Sequence, residues 1–285
     1  MLESVIDLPD GSQSTVLVFR ALVDAPSTKP LVVIWPGFGM GARYFKPIAS
    51  WLSEQGFPAV IGELRGQGSS TAVASRAQQW GYHSMATEDY PLTISAAKKA
   101  LGLEPSHPVV FLAHSMGGQI GILYLTTADV EANNVRGMMG VGAGSPYWRG
   151  FDGAQRLKIR TGVTFMGAFS RVFGYWPGGR FDIAGYGRQS GWHLGEWARF
   201  SRTNSLDHVR GDDYATRLQA VSTPILLTRF NNDEDCPIAS AQNLAQHVPA
   251  AHPVVEELKG DLGHNRWARE PEITGRRLIA FCEGI

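Results

Sequence analysis

The stretch Val109-Val110-Phe111-Leu112-Ala113-His114-Ser115-Met116-Gly117-Gly118 sets a serine between a run of apolar residues and a pair of glycines. Small residues two before and two after Ser115 let the chain reverse so tightly that the hydroxyl stands clear of the backbone. A helix begun there aims its first N–H groups at the same point. A serine is a poor nucleophile until a base takes its proton and an acid orients that base. Both are available further along. The apolar run Pro224–Phe230 leads into Asn231-Asn232-Asp233-Glu234-Asp235-Cys236-Pro237, and Pro253–Leu258 leads into Lys259-Gly260-Asp261-Leu262-Gly263-His264-Asn265. We read Ser115 as nucleophile, Asp233 as acid and His264 as base, with Gly263 permitting the bend that turns His264 back towards the serine. Asp235 stands close enough to replace Asp233 if the loop shifts, and Asp152 is a more distant candidate.

Each residue alone has a plainer explanation: a serine can cap a helix, and a loop histidine can be solvated. The order Ser, Asp, His on successive strand ends argues for chemistry instead. The other seven histidines follow no such loop and are expected to be structural or surface groups; His114 adjoins the serine but points the wrong way along a strand to serve as its base. Acyl transfer also needs donors for a developing oxyanion. The backbone N–H of Met116 is one, and that of Phe38, in Trp35-Pro36-Gly37-Phe38-Gly39, is the expected second; a simple strand-to-helix turn is the alternative for that loop.

Such residues need rigid elements to position them. Glu3–Leu8 and Thr15–Leu22 flank Pro9-Asp10-Gly11 as a β-hairpin. Pro30–Trp35, Pro58–Leu64, Val109–Ala113, Val135–Val141, Pro224–Phe230 and Pro253–Leu258 read as strands, the first of them a continuous apolar run of the kind buried on both faces. Helices are expected over Ala42–Gln55, Met85–Leu101, Gly117–Thr127, Ile238–His247 and Glu272–Cys282. This alternation predicts an α/β fold with a mostly parallel sheet flanked by helices. Residues 142–206 break the pattern with aromatic, glycine and arginine residues and no clean strand. They are expected to form a cap inserted into a core made of residues 1–141 and 207–285.

Lys+Arg and Asp+Glu both number 26 in 285 residues, so no general attraction to nucleic acid or anionic membrane is expected, although a local patch could exist. Two cysteines, Cys236 and Cys282, form no metal-binding or haem-binding spacing. The N-terminus carries acids where a signal peptide would have bases, and no apolar run is long enough to cross a bilayer, so a cytoplasmic enzyme without stable membrane insertion is expected.

The chain resembles the α/β-hydrolase superfamily over nearly its whole length. The resemblance rests on PGFGMGARYF after the first buried strand, ELRGQGSS after the next, AHSMGG at the serine, NNDEDCP, and GHNRW near the end. It is similar to a bacterial branch of predicted hydrolases through Gly174-Tyr175-Trp176-Pro177-Gly178-Gly179-Arg180. Pro36-Gly37 stands where His-Gly is usual in the family, and Glu63 where Asp is common. Epoxide hydrolases and haloalkane dehalogenases of the family carry a carboxylate nucleophile, and Ser115 argues against those reactions. The resemblance implies a hydrolase acting on a small-molecule carboxylic ester, with thioester or amide substrates open, no cofactor, and a monomer or homodimer. The aromatic segment suggests an apolar acyl or alkyl group of medium length, unless those aromatics form only the cap's own core. An acyltransferase or perhydrolase would use the same residues, and a non-catalytic binding module could retain them.

Overall fold

The computed structural model describes residues 1–22, 28–209 and 212–285. The principal elements are strands β1 (Leu2–Asp7), β2 (Gln13–Phe19) and β3 (Leu31–Trp35), helix α1 (Lys46–Glu54), strand β4 (Ala59–Ile61) and helix α2 (Tyr90–Leu101). Strand β5 (Val109–His114), helix α3 (Met116–Tyr124) and strand β6 (Val135–Val141) follow. After the helices α4 (Thr164–Phe173) and α5 (Gly191–Thr203) come β7 (Ile225–Phe230), α6 (Ile238–Ala245), β8 (Val254–Leu258) and α7 (Glu272–Glu283). Eight strands form one sheet in the order β1-β2-β4-β3-β5-β6-β7-β8. The pairings β1–β2 and β2–β4 are antiparallel, and the remaining five are parallel.

The apolar runs are continuous because both sheet faces are covered. In β3, Leu31, Val33 and Trp35 join one buried cluster while Val32 and Ile34 join another; in β5, Val109, Phe111 and Ala113 separate from Val110 and Leu112 in the same way. Helices α2, α3 and α6 contribute to the first cluster, and α1 and α7 to the second.

Two helices differ in detail from the sequence expectation. The segment Ala42–Phe45 is a 3₁₀ turn leading into α1, and a π turn over Met85–Asp89 precedes α2. Residues 142–206 leave the sheet after β6 and are mainly helical, including one unbroken helical run over residues 153–173. Core loop 71–81 laces this segment down. Arg76 donates to the carbonyls of Phe173 and Val172 at 3.2 and 3.1 Å. Arg188 donates to Ala74 O at 2.6 Å, and Ser190 Oγ to Trp80 O at 2.6 Å.

Candidate active site

Ser115 lies at the junction of β5 and α3, with φ 50° and ψ −118°. Positive φ in a non-glycine residue costs about 1–3 kcal/mol and persists only where packing enforces it. The enforcement is visible. A Cβ on Gly117 would stand 2.7 Å from Pro36 O, and one on Gly118 2.5 Å from the Ala143 Cβ. Tyr90 Oη donates to Gly117 O at 2.8 Å, and Ser115 N donates to Val141 O at 3.1 Å. Ala113, where glycine is usual, is tolerated here: a Cβ on Gly118 would meet its methyl only at 3.9 Å.

Met116 is the first residue of α3, so its N–H has no acceptor within the helix. The loop holding Phe38 lies against the serine, since a Cβ on Gly37 would stand 3.1 Å from Ser115 Cβ and 2.8 Å from His114 Cδ2. Phe38 and Met116, the residues expected to supply the oxyanion donors, line the same cavity as Ser115.

Asp233 is buried at the end of β7. It accepts the N–H groups of Asp235 at 3.0 Å and Cys236 at 2.9 Å, and His264 Nδ1 approaches its two oxygens at 3.0 and 2.9 Å. A carboxylate with those partners fixes the tautomer: Nδ1 carries the proton and Nε2 is left as the basic nitrogen. Burial pushes the His264 imidazolium down, but the Asp233 hydrogen bond and charge, with a contribution from Asp235, outweigh it and hold the group above the usual histidine value. Gly142, at φ 60°, leaves space for this pair; a Cβ there would stand 2.9 Å from the His264 ring.

Asp235 also lines the cavity but is exposed and accepts from Gln155 Nε2 at 3.0 Å rather than bonding His264. Asp152 is exposed and paired with Arg156. Ser115 and His264 line one cavity of about 170 Å³ with Phe38, Met40, Met116, Phe151, Ile159, Tyr186 and Trp197. Among the described residues no hydrogen bond joins Ser115 Oγ to the His264 ring, a looseness usual before substrate is present.

Several residues beyond the sequence reading shape this cavity. His114 reaches its wall, 4.7 Å from the His264 ring between centroids. Its Nδ1 lies 2.9 Å from Val141 O, which can only accept, and its Nε2 lies 3.0 Å from the Asn265 amide. Burial, then the neighbouring His264, hold His114 down to about 3, so it is neutral with the proton on Nδ1. The atom facing Nε2 is Asn265 Oδ1, an acceptor, so a neutral ring is paired there only when the amide turns over to present its NH₂. His114 is committed to structure, as expected, although it faces the cavity. Arg229 donates to the carbonyls of Asp233 at 2.9 Å and Cys236 at 2.7 Å and so curls the acid loop. His193, buried on α5, sets Nε2 2.8 Å from the Met116 sulfur and its ring 5.0 Å from Phe38. These contacts join residues 27 or more apart, or a strand to its own loop, and have no local signature. Burial pushes the Cys236 thiol up, which leaves it a weak nucleophile despite its nearness. No group of three or more His, Cys, Asp or Glu suited to a metal ion occurs among the described residues.

Residues 26–166 match the family described as serine aminopeptidase, S33. No curated protein matches the chain. Among solved structures, an α/β hydrolase from Penicillium sp. sh18 is similar, with a TM-score of 0.66 at 17% identity, over 99% of this chain and 97% of that one. A bromoperoxidase from Bacillus anthracis gives a TM-score of 0.62 at 16% identity, over 99% and 100% of the two chains. An esterase from Exiguobacterium antarcticum gives 0.60 at 17%, over 99% and 100%. At such identities the likeness is one of fold.

Proposed function

The chain belongs to the α/β-hydrolase superfamily, and on that premise we propose that it is a serine hydrolase cleaving a small carboxylic ester through an acyl-enzyme. The observation that carries this reading is the Asp233–His264 pair, 2.9 Å at its shorter contact, sharing one cavity with a serine held at positive φ.

Ser115 Oγ attacks the ester carbonyl while His264 Nε2 removes its proton; Asp233, bound to Nδ1–H, orients the ring and stabilises the imidazolium. The carbonyl oxygen becomes an oxyanion held by the N–H groups of Met116 and Phe38. Collapse of the tetrahedral intermediate breaks the C–O bond, and His264 returns the proton to the leaving alcohol. Water, deprotonated by the same nitrogen, then releases the acid. No cofactor enters this sequence.

Residues 142–206 act in this reading as a cap that sets substrate size. Phe38 packs on Tyr186 at 4.3 Å and Trp197 at 5.2 Å, so the cavity is closed by aromatic rings from that segment. A volume of about 170 Å³ favours short acyl groups over the medium length that aromatic content alone suggested. It lies below the roughly 300–1,000 Å³ of pockets for drug-sized ligands.

The test is hydrolysis of p-nitrophenyl esters from acetate to palmitate, with an aminoacyl p-nitroanilide included because the matched family is described as aminopeptidases. Turnover is expected for acetate to butyrate, falling steeply beyond, and lost by at least about 10³-fold in Ser115→Ala. Equal rates in the two proteins would remove Ser115 from the mechanism.

A further inference from the structure

The helical run 153–173 carries apolar residues on two sides, one buried and one exposed. Its inward side carries Val163, Met166, Gly167 and Ser170, all buried. Gly167 lies so close to α5 that a Cβ would stand 2.5 Å from the Ala198 Cβ. Other large apolar side chains of the run face solvent: Phe165 is 53% exposed and Val172 66%, with Leu157 and Phe173 exposed as well. Leu157, Thr161, Phe165, Ala168 and Val172 recur every three or four residues and form one outward stripe along a helix about 30 Å long. The stripe continues onto a neighbouring loop. Phe165 and Phe169 pack on Trp176, with centroids 6.1 and 5.4 Å apart, and the Trp176 indole donates to Asp182 at 2.8 Å. Phe181 and Ile183 stand exposed on either side of Asp182, Ile183 at 81%.

Val163 and Met166 already supply the run's inward apolar contacts, so its packing does not require Leu157, Phe165 and Val172 to be apolar. A contiguous apolar face of that kind marks a surface with a partner. Charge identifies the partner. Lys158, Arg160 and Arg171 of the same run, and Arg180 beside Phe181, are exposed. Within residues 142–206 nine Lys/Arg stand against three Asp/Glu, while the rest of the chain has 17 against 23. The acids in or beside the face are engaged: Asp152 pairs with Arg156, and Asp182 accepts from Trp176, Gly185 and Gly187.

We propose that this face docks the protein onto an anionic lipid surface. The stripe lies in the plane of the interface with Leu157, Phe165 and Val172 at the headgroup–acyl boundary, and the basic residues pair with acidic headgroups. A second copy of the chain would bring like charge to like charge at the same face. The docking is independent of the esterase reading, because Ser115→Ala leaves the face intact.

The test is co-sedimentation of the full chain with vesicles of phosphatidylcholine alone and of phosphatidylcholine mixed with phosphatidylglycerol. Binding is expected to the mixed vesicles, to weaken with salt, and to fall about fivefold for each charge removed in Arg160→Gln and Arg171→Gln. Phe165→Glu with Val172→Glu should lower it about tenfold or more, with hydrolysis of a soluble ester and circular dichroism unchanged to show an intact fold. Equal sedimentation of wild type and the double variant, or no gain from phosphatidylglycerol, would overturn the proposal. So would a solution dimer that the double variant dissociates while vesicles remain unbound, which would identify a second copy as the occupant.

Discussion

Asp233 and Asp235 lie two residues apart in one acidic loop, yet their surroundings differ completely. Asp233 is buried and holds His264 with both oxygens, whereas Asp235 is exposed and reaches Gln155. Asp233→Asn should therefore lower kcat/KM by about 10³–10⁴-fold, since the amide no longer secures the tautomer, while Asp235→Asn should stay within a few-fold. The pH profile gives a second reading. His264 must be neutral to act as base, and Asp233 holds it above the ordinary histidine value near 6.5. The acid limb of kcat/KM should lie above that value and move to lower pH in Asp233→Asn. The sequence reading of Ser115, Asp233 and His264 rests on the small residues around Ser115 and on the chain order of serine, acid and base. The choice between the two acids depends on the curl that Arg229 imposes through carbonyls of the same loop, and side-chain-to-carbonyl bonds leave no mark in sequence spacing.

At the scale of elements, the turn after β5 depends on volume. The Ala143 methyl fills a gap left by two glycines: a Cβ on Gly118 would approach it to 2.5 Å and one on Gly140 to 2.8 Å. Gly118→Ala should cost about 1–3 kcal/mol in urea denaturation through overpacking. Adding Ala143→Gly should restore much of that loss, and a double-mutant cycle measures the coupling. Strand positions were legible because burial on both faces of the sheet demands unbroken apolar runs. The helices of residues 142–206 were not legible as periodic elements. The run 153–173 contains a π turn over Ile159–Val163, which breaks the 3.6-residue period, and Leu157, Phe165, Val172 and Phe173 face outward while Val163 and Met166 face inward. Both departures defeat a reading that looks for one apolar face turned inward.

Taken whole, the molecule buries two histidines in neutral form, one on each side of the serine loop. Burial holds both His114 and His193 down to about 3. In the unfolded chain they titrate near 6.5, so between pH 6.5 and about 3 the unfolded state binds more protons and stability falls as pH falls. Each contributes up to about 1.4 kcal/mol per pH unit in that window. Urea denaturation at pH 7, 6 and 5 should show the decline, and a flat profile would contradict neutral burial. His264 acts in the opposite sense: its raised value stabilises the folded protein fully below 6.5, and that contribution is lost as pH rises through the raised value.

The lacing of residues 142–206 to loop 71–81 also bears on how such a protein can acquire new substrates. Arg76 closes the C-terminal end of α4, and Ala74 and Trp80 anchor Arg188 and Ser190. The wall over the serine is thus written in two separate stretches of the gene. A transplant of residues 142–206 alone would leave the last carbonyls of α4 and the side chains of Arg188 and Ser190 without their anchors. A graft that carries loop 71–81 with it keeps them, so recombination that changes specificity must inherit both stretches together.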